Sequence, residues 1–333
     1  MSLLTYDFMV RALLGALFTG LAAPAIGTYL VQRRLALMGD GIGHIAVTGV
    51  ALGLLTGTSP TLTAVVVAVL GAVVIEVIRA SGRTSGDVAL ALLFYGGIAG
   101  GVLLTGLAGQ SAAMLNTYLF GSITTISWTD VTVTVVLAAV VVVVALGLSP
   151  QLFAVAQDRE FAQVAGLNVR VYNLLVSVMA AVTVTVAMRT VGLLLVSALM
   201  VVPVAASQQV TRAFRSTLLA AMALGMLAAV GGVVVSAYVD AAPGATIVLL
   251  ALACFAAAYP VGVWLRRRQR LVRPFVEPAD EFPLADRHTA VPEDHGHAHG
   301  EHCGHPAVPH GDHVDYVHDG HRHAAHGSHY DEH

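Results

Sequence analysis

The run at 131–148, VTVTVVLAAVVVVVALGL, decides the fold of this chain. Valine is common in β-strands, but the run is too long and too poor in turn residues for a strand of a soluble protein. Lipid tolerates only helices and closed barrels, and a barrel would show alternating segments of about 10 residues, which this sequence lacks. The run, like TLTAVVVAVLGAVVIEVIR at 61–79, is therefore predicted to be a transmembrane helix.

Apolar runs of this kind recur along most of the chain, which is 56% hydrophobic and 11% charged. Soluble domains carry about 25% charged residues, whereas a helix needs about 20 apolar residues to cross the hydrocarbon core. We predict an all-α fold, a polytopic transmembrane helix bundle in residues 1–270, followed by a disordered C-terminal tail in 271–333. The nine predicted spans are 8–31, 42–57, 61–79, 88–108, 131–148, 171–188, 191–208, 216–238 and 245–265.

The arginines predict the orientation of these spans. Arginines follow the first, third, fifth, seventh and ninth spans, and basic loops favour the cytoplasmic side of a membrane. The N-terminus is then expected outside the cell and the tail inside it. Arg11 and Arg189 depart from this pattern. The arginines that support it are Arg33, Arg34, Arg79, Arg83, Arg159, Arg170, Arg212, Arg215, Arg266, Arg267, Arg268, Arg270 and Arg273.

One missing residue type excludes one class of activity. All 17 basic residues are arginine, so this chain has no lysine that could reach nucleotide phosphates as the lysine of a P-loop does. Any ATP hydrolysis would therefore be carried out by a separate subunit, and no ATPase motif is expected in this chain. The H-E-x-x-H pattern of a metalloenzyme helix does not occur in the sequence either.

Asp40 and His44 are the first candidate site. His44 is the only histidine before the tail, and Asp40 precedes it by one helical turn, so both side chains leave the same helix face. A histidine nitrogen with a carboxylate oxygen suits zinc, manganese or iron. Alternatively, Asp40 caps its helix at the membrane interface and His44 faces the lipid headgroups. Two ligands do not complete a zinc site, but a two-fold dimer would supply four.

The loop at 149–170 is the second candidate site. Within it, Asp158 to Ala165 is predicted to form a short helix that ends near Gly166, a suitable C-cap. On the predicted cytoplasmic side, such a helix is either a docking point for a partner or a solvated amphipathic loop. At the end of the third span, Glu76 is expected to form an ion pair with Arg79, three residues later.

The tail is the third candidate site. It holds 14 of the 15 histidines and 12 of the 20 acidic residues, in strings such as HGHAHGEHCGH at 295–305. Low hydrophobicity with many Gly, Pro and charged residues predicts disorder, and the composition is that of a metal-binding tract. Such a tract would bind zinc, nickel, copper or cobalt weakly. The predicted ligands are His295, His297, His299, His302, His305, His318, His321 and His323.

Three passages resemble one family of membrane proteins. They are RLALMGDGIGHIAVTGVALG at 34–53, LNTYLFGS at 115–122 and VGLLLVSALMVVPVAA at 191–206. In order and spacing they are similar to the integral membrane permease subunits of the zinc/manganese ABC transporter family. The resemblance covers about 1–270 and leaves the tail outside it.

The resemblance implies a multi-pass, homodimeric permease in the plasma membrane of a prokaryote. Two ATPase subunits would dock on its cytoplasmic face, and an extracytoplasmic metal-binding protein would deliver the cargo, with no part for nucleic acid. Asp40 and His44 match the residues that the family associates with the metal path, and the loop after the fifth span matches its ATPase-coupling helix. The residues assigned to ATPase binding are Asp158, Arg159, Glu160, Phe161 and Gly166.

The predicted function is ATP-driven import of a divalent metal, with zinc as the transported ion and no permanently bound cofactor. Zinc is preferred because manganese favours oxygen ligands over histidine. A manganese or iron importer of the same family is one alternative, and an ATP-independent secondary carrier is another. The single histidine of the membrane body argues against the carrier. Gly41 and Gly43 stand where the family usually has Ala and Ser, which predicts a looser helix around the site.

Overall fold

The structure is a computed structural model of the 333-residue chain. The chain divides into two compact units, 1–269 and 270–333, each with its own internal contacts. The residues that the structure describes are 6–80, 86–109, 118–121, 126–239 and 241–272 in the helical region, and 289–291, 303–310, 313–318, 321–326 and 329–332 in the tail.

Helices make up the described part of the first unit. In chain order they are α1 (Asp7–Gln32), α2 (Met38–Thr56), α3 (Pro60–Ala80), α4 (Gly86–Leu107), α5 (Trp128–Gly147), α6 (Ser149–Gln157), α7 (Arg159–Val164), α8 (Val169–Thr190), α9 (Leu193–Val210), α10 (Phe214–Val239) and α11 (Pro243–Val272).

Nine of these described helices, all except the short α6 and α7, are long and apolar enough to cross a membrane. This confirms the polytopic helix bundle predicted from the apolar runs. The boundary difference that matters for the site is in α2, which begins at Met38 rather than at 42. Its first turn contains Asp40, whose carboxylate has polar partners inside the bundle. Because these partners stabilise the carboxylate, the helix can include Asp40 although this residue is charged.

Two ion pairs between helices show the relative directions of four spans. At one end of the bundle, Arg33 after α1 lies 3.7 Å from Glu76 near the end of α3. At the other end, Arg189 near the end of α8 lies 3.1 Å from Asp130 at the start of α5. Helices α1 and α3 therefore run in one direction, and α8 runs opposite to α5. This alternation agrees with a chain that crosses the membrane at each of the nine spans.

The two arginines that depart from the basic-loop pattern are both neutralised. Arg11 forms an ion pair with Asp7 at 3.0 Å, one turn earlier in α1. Arg189 pairs with Asp130 and also donates a hydrogen bond to Thr61 at 3.3 Å. Each positive charge is thus balanced by an adjacent carboxylate, so neither adds a net positive charge to its end of the bundle.

The core of the bundle is built around three helices. Among the described spans, α1, α2 and α8 are the most buried, whereas α4 and α11 expose most of their surface. α1 packs against α5, α9 and α10, and α2 packs against α3 and α4. The buried side chains of α1 are mostly small, which lets neighbouring backbones come close. Asp40 and His44 therefore lie on a helix that is mostly buried in the protein.

The described residues of the tail form a five-stranded antiparallel sheet, where the sequence analysis predicts disorder. The strands are β1 (Thr289–Val291), β2 (Ala307–His310), β3 (His313–His318), β4 (His321–His326) and β5 (His329–Glu332), in the order β1-β5-β4-β3-β2. The sequence features that indicate these strands lie close together in the chain. The dipeptides between β2, β3, β4 and β5 are Gly-Asp, Asp-Gly and Gly-Ser, which are typical of two-residue hairpin connections.

Candidate functional site

Helix α2 brings Asp40 and His44 together as predicted. Nε2 of His44 lies 3.8 Å from Oδ1 of Asp40, one helical turn apart. The side chain of His44 is 13% exposed and that of Asp40 is 28% exposed. Both groups are therefore largely withdrawn from the surface of the protein, but each can still be reached by a small ligand.

The distance between the two atoms suits a shared cation. Zinc bonds to nitrogen and oxygen are roughly 2.0–2.2 Å long, so two ligand atoms at a tetrahedral angle are separated by roughly 3.4 Å. The observed 3.8 Å is too long for a hydrogen bond and needs only a small side-chain rotation to reach that value. The pair can contribute two of the four ligands that zinc usually takes.

The alternative in which Asp40 caps its helix does not describe this geometry. The N-cap residue of α2 is Leu37, and no side chain makes a capping hydrogen bond there. The carboxylate of Asp40 instead accepts a hydrogen bond from Oγ of Ser197 at 3.4 Å, across the packing contact with α9. Asp40 therefore contacts a neighbouring helix rather than capping its own.

Ser197 and Phe94 complete the surroundings of the pair, and the sequence patterns predict neither of them. The single hydroxyl proton of Ser197 is shared between Asp40 and the carbonyl of Leu193, which lies 3.2 Å away, so the hydroxyl lies between its own helix and Asp40. The ring of Phe94 in α4 meets the imidazole of His44 edge-on, with centroids 4.5 Å apart and an interplanar angle of 75°. This contact restricts rotation of the imidazole. Ser197 lies within the family-like passage 191–206, which is the one signal that points to it.

Glycines let α4 and α9 approach α2 closely around the site. A Cβ on Gly97 of α4 would lie 2.6 Å from the backbone carbon of His44, and a Cβ on Gly43 would lie 1.8 Å from Cδ1 of Leu193. Helix α2 nevertheless continues unbroken from Met38 to Thr56. The sequence predicts that Gly43 loosens the helix. In the structure, Leu193 instead packs closely against Gly43.

The predicted short helix of the second candidate site is present as α7, with Asp158 as its N-cap. Oδ1 of Asp158 accepts hydrogen bonds from the backbone nitrogens of Glu160 at 2.9 Å and Phe161 at 3.0 Å. At the other end, Gly166 has a φ of +80°. The prediction of a helix ending at a glycine C-cap is confirmed, with helical residues from Arg159 to Val164.

The end of α7 is a Schellman motif that turns the chain back onto α8. The nitrogen of Gly166 donates to the carbonyl of Gln163 at 3.0 Å, and the nitrogen of Leu167 donates to that of Ala162 at 2.9 Å. Ala162 packs into a small buried cluster, whereas Phe161 is 63% exposed and Val164 is 89% exposed. The helix therefore holds one face to the protein and presents apolar side chains on the other.

Glu76 pairs with Arg79 as predicted, at 3.1 Å. Its carboxylate also lies 3.7 Å from Nη2 of Arg33, a partner that the local sequence pattern does not predict. Both Arg33 and Arg79 lie near the starting residue of α7, Arg159, around one cavity. These charges form a cluster at the same end of the bundle as α7.

The predicted tail ligands are only partly described. His295, His297, His299 and His302 lie outside the described residues. His305 precedes β2, His318 faces His321 across the β3–β4 hairpin, and His323 is buried opposite Tyr316. Among the described residues of the whole chain, no three His, Cys, Asp or Glu side chains are grouped closely enough to hold a metal.

Comparison with known proteins places the chain in a family. The family model described as the ABC 3 transport family matches residues 5–261. The manganese transport system membrane protein MntC of Halalkalibacterium halodurans is 31% identical over 258 residues, which are 77% of this chain and 88% of that protein. The high-affinity zinc uptake system membrane protein ZnuB of Haemophilus influenzae is 27% identical over 263 residues, covering 79% and 99%.

A solved structure agrees with the fold. The structure of PsaBC from Streptococcus pneumoniae in complex with Fab superimposes with a TM-score of 0.71 and 28% identity, and covers 80% of this chain and 97% of that one. The described helices, the motif-bearing passages and the family match all lie within the same part of the sequence. The membership predicted from the motifs is confirmed: this chain is a membrane permease of the ABC 3 transport family.

Proposed function

We propose that this chain is the membrane-spanning subunit of an ATP-driven zinc importer in the plasma membrane of a prokaryote. The observation that carries the proposal is the pairing of Asp40 with His44 at 3.8 Å inside the bundle. Ionisable side chains within membrane spans are rare, and they commonly belong to ion pathways. The ion is cargo, and the chain holds no permanent cofactor.

Zinc would pass between two copies of the chain. The parts of the two side chains that remain exposed, 28% of Asp40 and 13% of His44, would face the second copy. One copy offers a nitrogen and an oxygen ligand, and two copies related by a two-fold axis would offer four, the usual number for zinc. Ser197 keeps the carboxylate of Asp40 turned toward His44 by its hydrogen bond. With only two ligands from each copy, the ion would be bound transiently, as transport requires, because a complete site within one chain would not release it.

The energy for transport would come from separate ATPase subunits. The chain contains no lysine with which to build a P-loop. Helix α7 offers a docking surface, since Phe161 and Val164 are exposed while Ala162 anchors the helix. In the orientation that the basic loops favour, α7 and the tail face the cytoplasm, and an extracytoplasmic protein would deliver zinc to the opposite end.

Manganese is the second candidate cargo. Curated relatives include proteins named for manganese transport as well as one named for zinc uptake. An imidazole ligand favours zinc, whereas carboxylate, carbonyl and water oxygens favour manganese. The presence of His44 beside Asp40 therefore supports zinc as the cargo.

Metal uptake by cells with and without the chain tests the proposal. Parent cells are expected to take up zinc in preference to manganese and iron, and Asp40→Ala or His44→Ala should abolish that uptake while the permease still assembles. Asp7→Asn is the matched control, because it also removes a carboxylate but at an exposed ion pair. Parent-level zinc uptake by both site variants would contradict the proposal, and preferential manganese uptake by the parent would replace zinc with manganese.

The docking role of α7 has its own test. Replacing Phe161 and Val164 with serine should weaken binding of the ATPase subunit and uncouple ATP hydrolysis from uptake, because the exposed apolar side chains are lost. Asp158 and Gly166, which hold the helix ends, stay in place in this variant. Unchanged ATPase binding after this substitution would exclude α7 as the docking helix.

A further inference from the structure

A cavity of about 90 Å³ lies at the α7 end of the bundle, where four helices and the end of α1 meet. Its polar lining consists of Arg33 after α1, Glu76 and Arg79 in α3, Arg159 at the start of α7, and Asn173 in α8. A buried water needs roughly 10–15 Å³ of such space. The cavity therefore has room for several waters or for one small polyatomic ion in their place.

The charges around this cavity do not balance. Among the described residues that line it, three arginines accompany one carboxylate, that of Glu76. Oε2 of Glu76 already accepts from Nη1 of Arg79 at 3.1 Å and from Ser177 at 3.5 Å, and it lies 3.7 Å from Nη2 of Arg33. The carboxylate is thus shared among several donors, and the lining keeps an excess of two positive charges.

Two buried polar atoms of the lining residues have no hydrogen-bond partner within the part of the chain that the structure describes. They are Nη1 of Arg33, whose side chain is 7% exposed, and Oδ1 of Asn173, which is 4% exposed. Burial lowers the pKa of Arg33 to about 10, and Glu76 only partly opposes this effect. A buried donor or acceptor without a partner is costly. Both atoms are closed off from solvent, so a group bound in the cavity would reach them after a small rotation of the Arg33 and Asn173 side chains.

We propose that this cavity binds a phosphate group that carries a proton. The oxygens of the phosphate would accept hydrogen bonds from Arg33, Arg79 and Arg159, since guanidinium groups bind phosphate strongly. Its P–OH group would donate to Oδ1 of Asn173, an acceptor that a fully deprotonated anion such as sulfate cannot satisfy. The excess positive charge of the lining would be neutralised by the same ligand.

The source of the group is either free inorganic phosphate or a phosphomonoester lipid headgroup such as that of phosphatidic acid. Both carry a titratable P–OH group. Bound there, the ligand would connect the start of α7 to the ends of α1 and α3, because Arg159, Arg33 and Arg79 would share it. This site is distinct from the proposed metal path, and it does not depend on the identity of the transported ion.

Ligand binding to the purified full-length permease in detergent tests the proposal. Inorganic phosphate is titrated at constant ionic strength, with sulfate in a parallel titration, and thermal unfolding and equilibrium dialysis are followed. Saturable phosphate binding that raises the unfolding temperature is expected, with sulfate at least about tenfold weaker. In a second arm, the permease is placed in phosphatidylcholine vesicles with and without phosphatidic acid. Stabilisation only by phosphatidic acid would assign the lipid as the source and also support the site.

The variants are Arg33→Gln and Arg159→Gln, and each should weaken phosphate-group binding at least about tenfold. Arg159 is exposed, so its variant decides the matter if Arg33→Gln fails to fold. Arg189→Gln is the matched control, because it removes an ion-paired arginine at the other end of the bundle and should bind as the parent does. Absence of saturable binding in both arms, or parent-like binding by the Arg159 variant, would overturn the proposal.

Discussion

Helix α2 is less apolar than α11 but is far more buried. The mean hydropathy of α2 is 1.4, against 2.2 for the membrane-length part of α11, yet 67% of α2 is buried inside the protein against 17% of α11. In a water-soluble protein the more apolar helix would be the buried one. In a bilayer, lipid tails solvate apolar side chains well, so the polar and small residues are the ones that must face inward.

The polar groups of α2 show how this inward position is maintained. Asp40 is bonded by Ser197, His44 is packed by Phe94, and Thr48 donates to the carbonyl of Gly97 at 2.6 Å. Helix α11 instead exposes large apolar side chains, among them Leu249, Leu252, Tyr259 and Trp264. A low hydropathy among otherwise apolar spans therefore marks the helix that carries the candidate metal path.

Truncation of equivalent aliphatic side chains should separate the two helices most strongly. Ile42 of α2 is fully buried, so Ile42→Ala should cost about 2–5 kcal/mol through lost packing and a cavity. Leu249 of α11 is 66% exposed, and Leu249→Ala should change the free energy of unfolding by a small fraction of that. Thermal unfolding of both variants in the same detergent measures the difference. Equal losses would mean that α11 is not a lipid-facing helix.

Adjacent glycines of α4 sharpen the comparison, because only one of them faces α2. Gly97→Ala would place a Cβ 2.6 Å from the backbone of His44, which should cost about 1–3 kcal/mol and reduce metal uptake by displacing the imidazole. Gly96→Ala is the control, since a Cβ at that position would meet no neighbouring atom within 4 Å. Unfolding temperature and uptake are measured for both. If the two variants have the same unfolding temperature and the same uptake, Gly97 does not lie in close contact with α2.

Two serines of α9 give the smallest expected effect. Ser197→Ala removes the hydrogen bond to Asp40 and should weaken metal affinity in uptake by about two- to tenfold, the value of one such bond. Ser207→Ala removes a hydroxyl that bonds only within α9, to the carbonyl of Val204, so metal affinity should stay at the parent value. The zinc concentration for half-maximal uptake distinguishes them. If the zinc concentration for half-maximal uptake is the same for both variants, Ser197 is not part of the site.

Local sequence patterns predict most of the fold. The lengths of the apolar runs indicate the spans, the i,i+4 spacing places Asp40 on the same face as His44, and the glycine at 166 marks the end of α7. Each of these features depends on residues close together in the chain. The hairpin dipeptides of the tail are equally local, but the low hydrophobicity of the segment outweighs them in a compositional prediction of disorder.

The sequence does not predict the contacts between distant helices. Ser197 meets Asp40 across 157 positions, and Arg189 pairs with Asp130 from another span. Arg33 is predicted as an orientation signal, whereas the structure places it beside Glu76 with a buried side chain. Such pairs depend on which faces of the helices pack together, and in a membrane most faces of a span are similarly apolar. The neighbours of a polar residue therefore have to come from the structure.

The central claim is that Asp40 and His44 hold the same metal ion, and a double-mutant cycle on zinc uptake tests it most directly. The zinc concentration for half-maximal uptake is measured for the parent, Asp40→Asn, His44→Gln and the double variant. If both residues bind one ion, the second substitution costs little once the first is present, with a coupling of about 1–3 kcal/mol. If the effects of the two single substitutions simply add, the residues act independently and the shared site is contradicted.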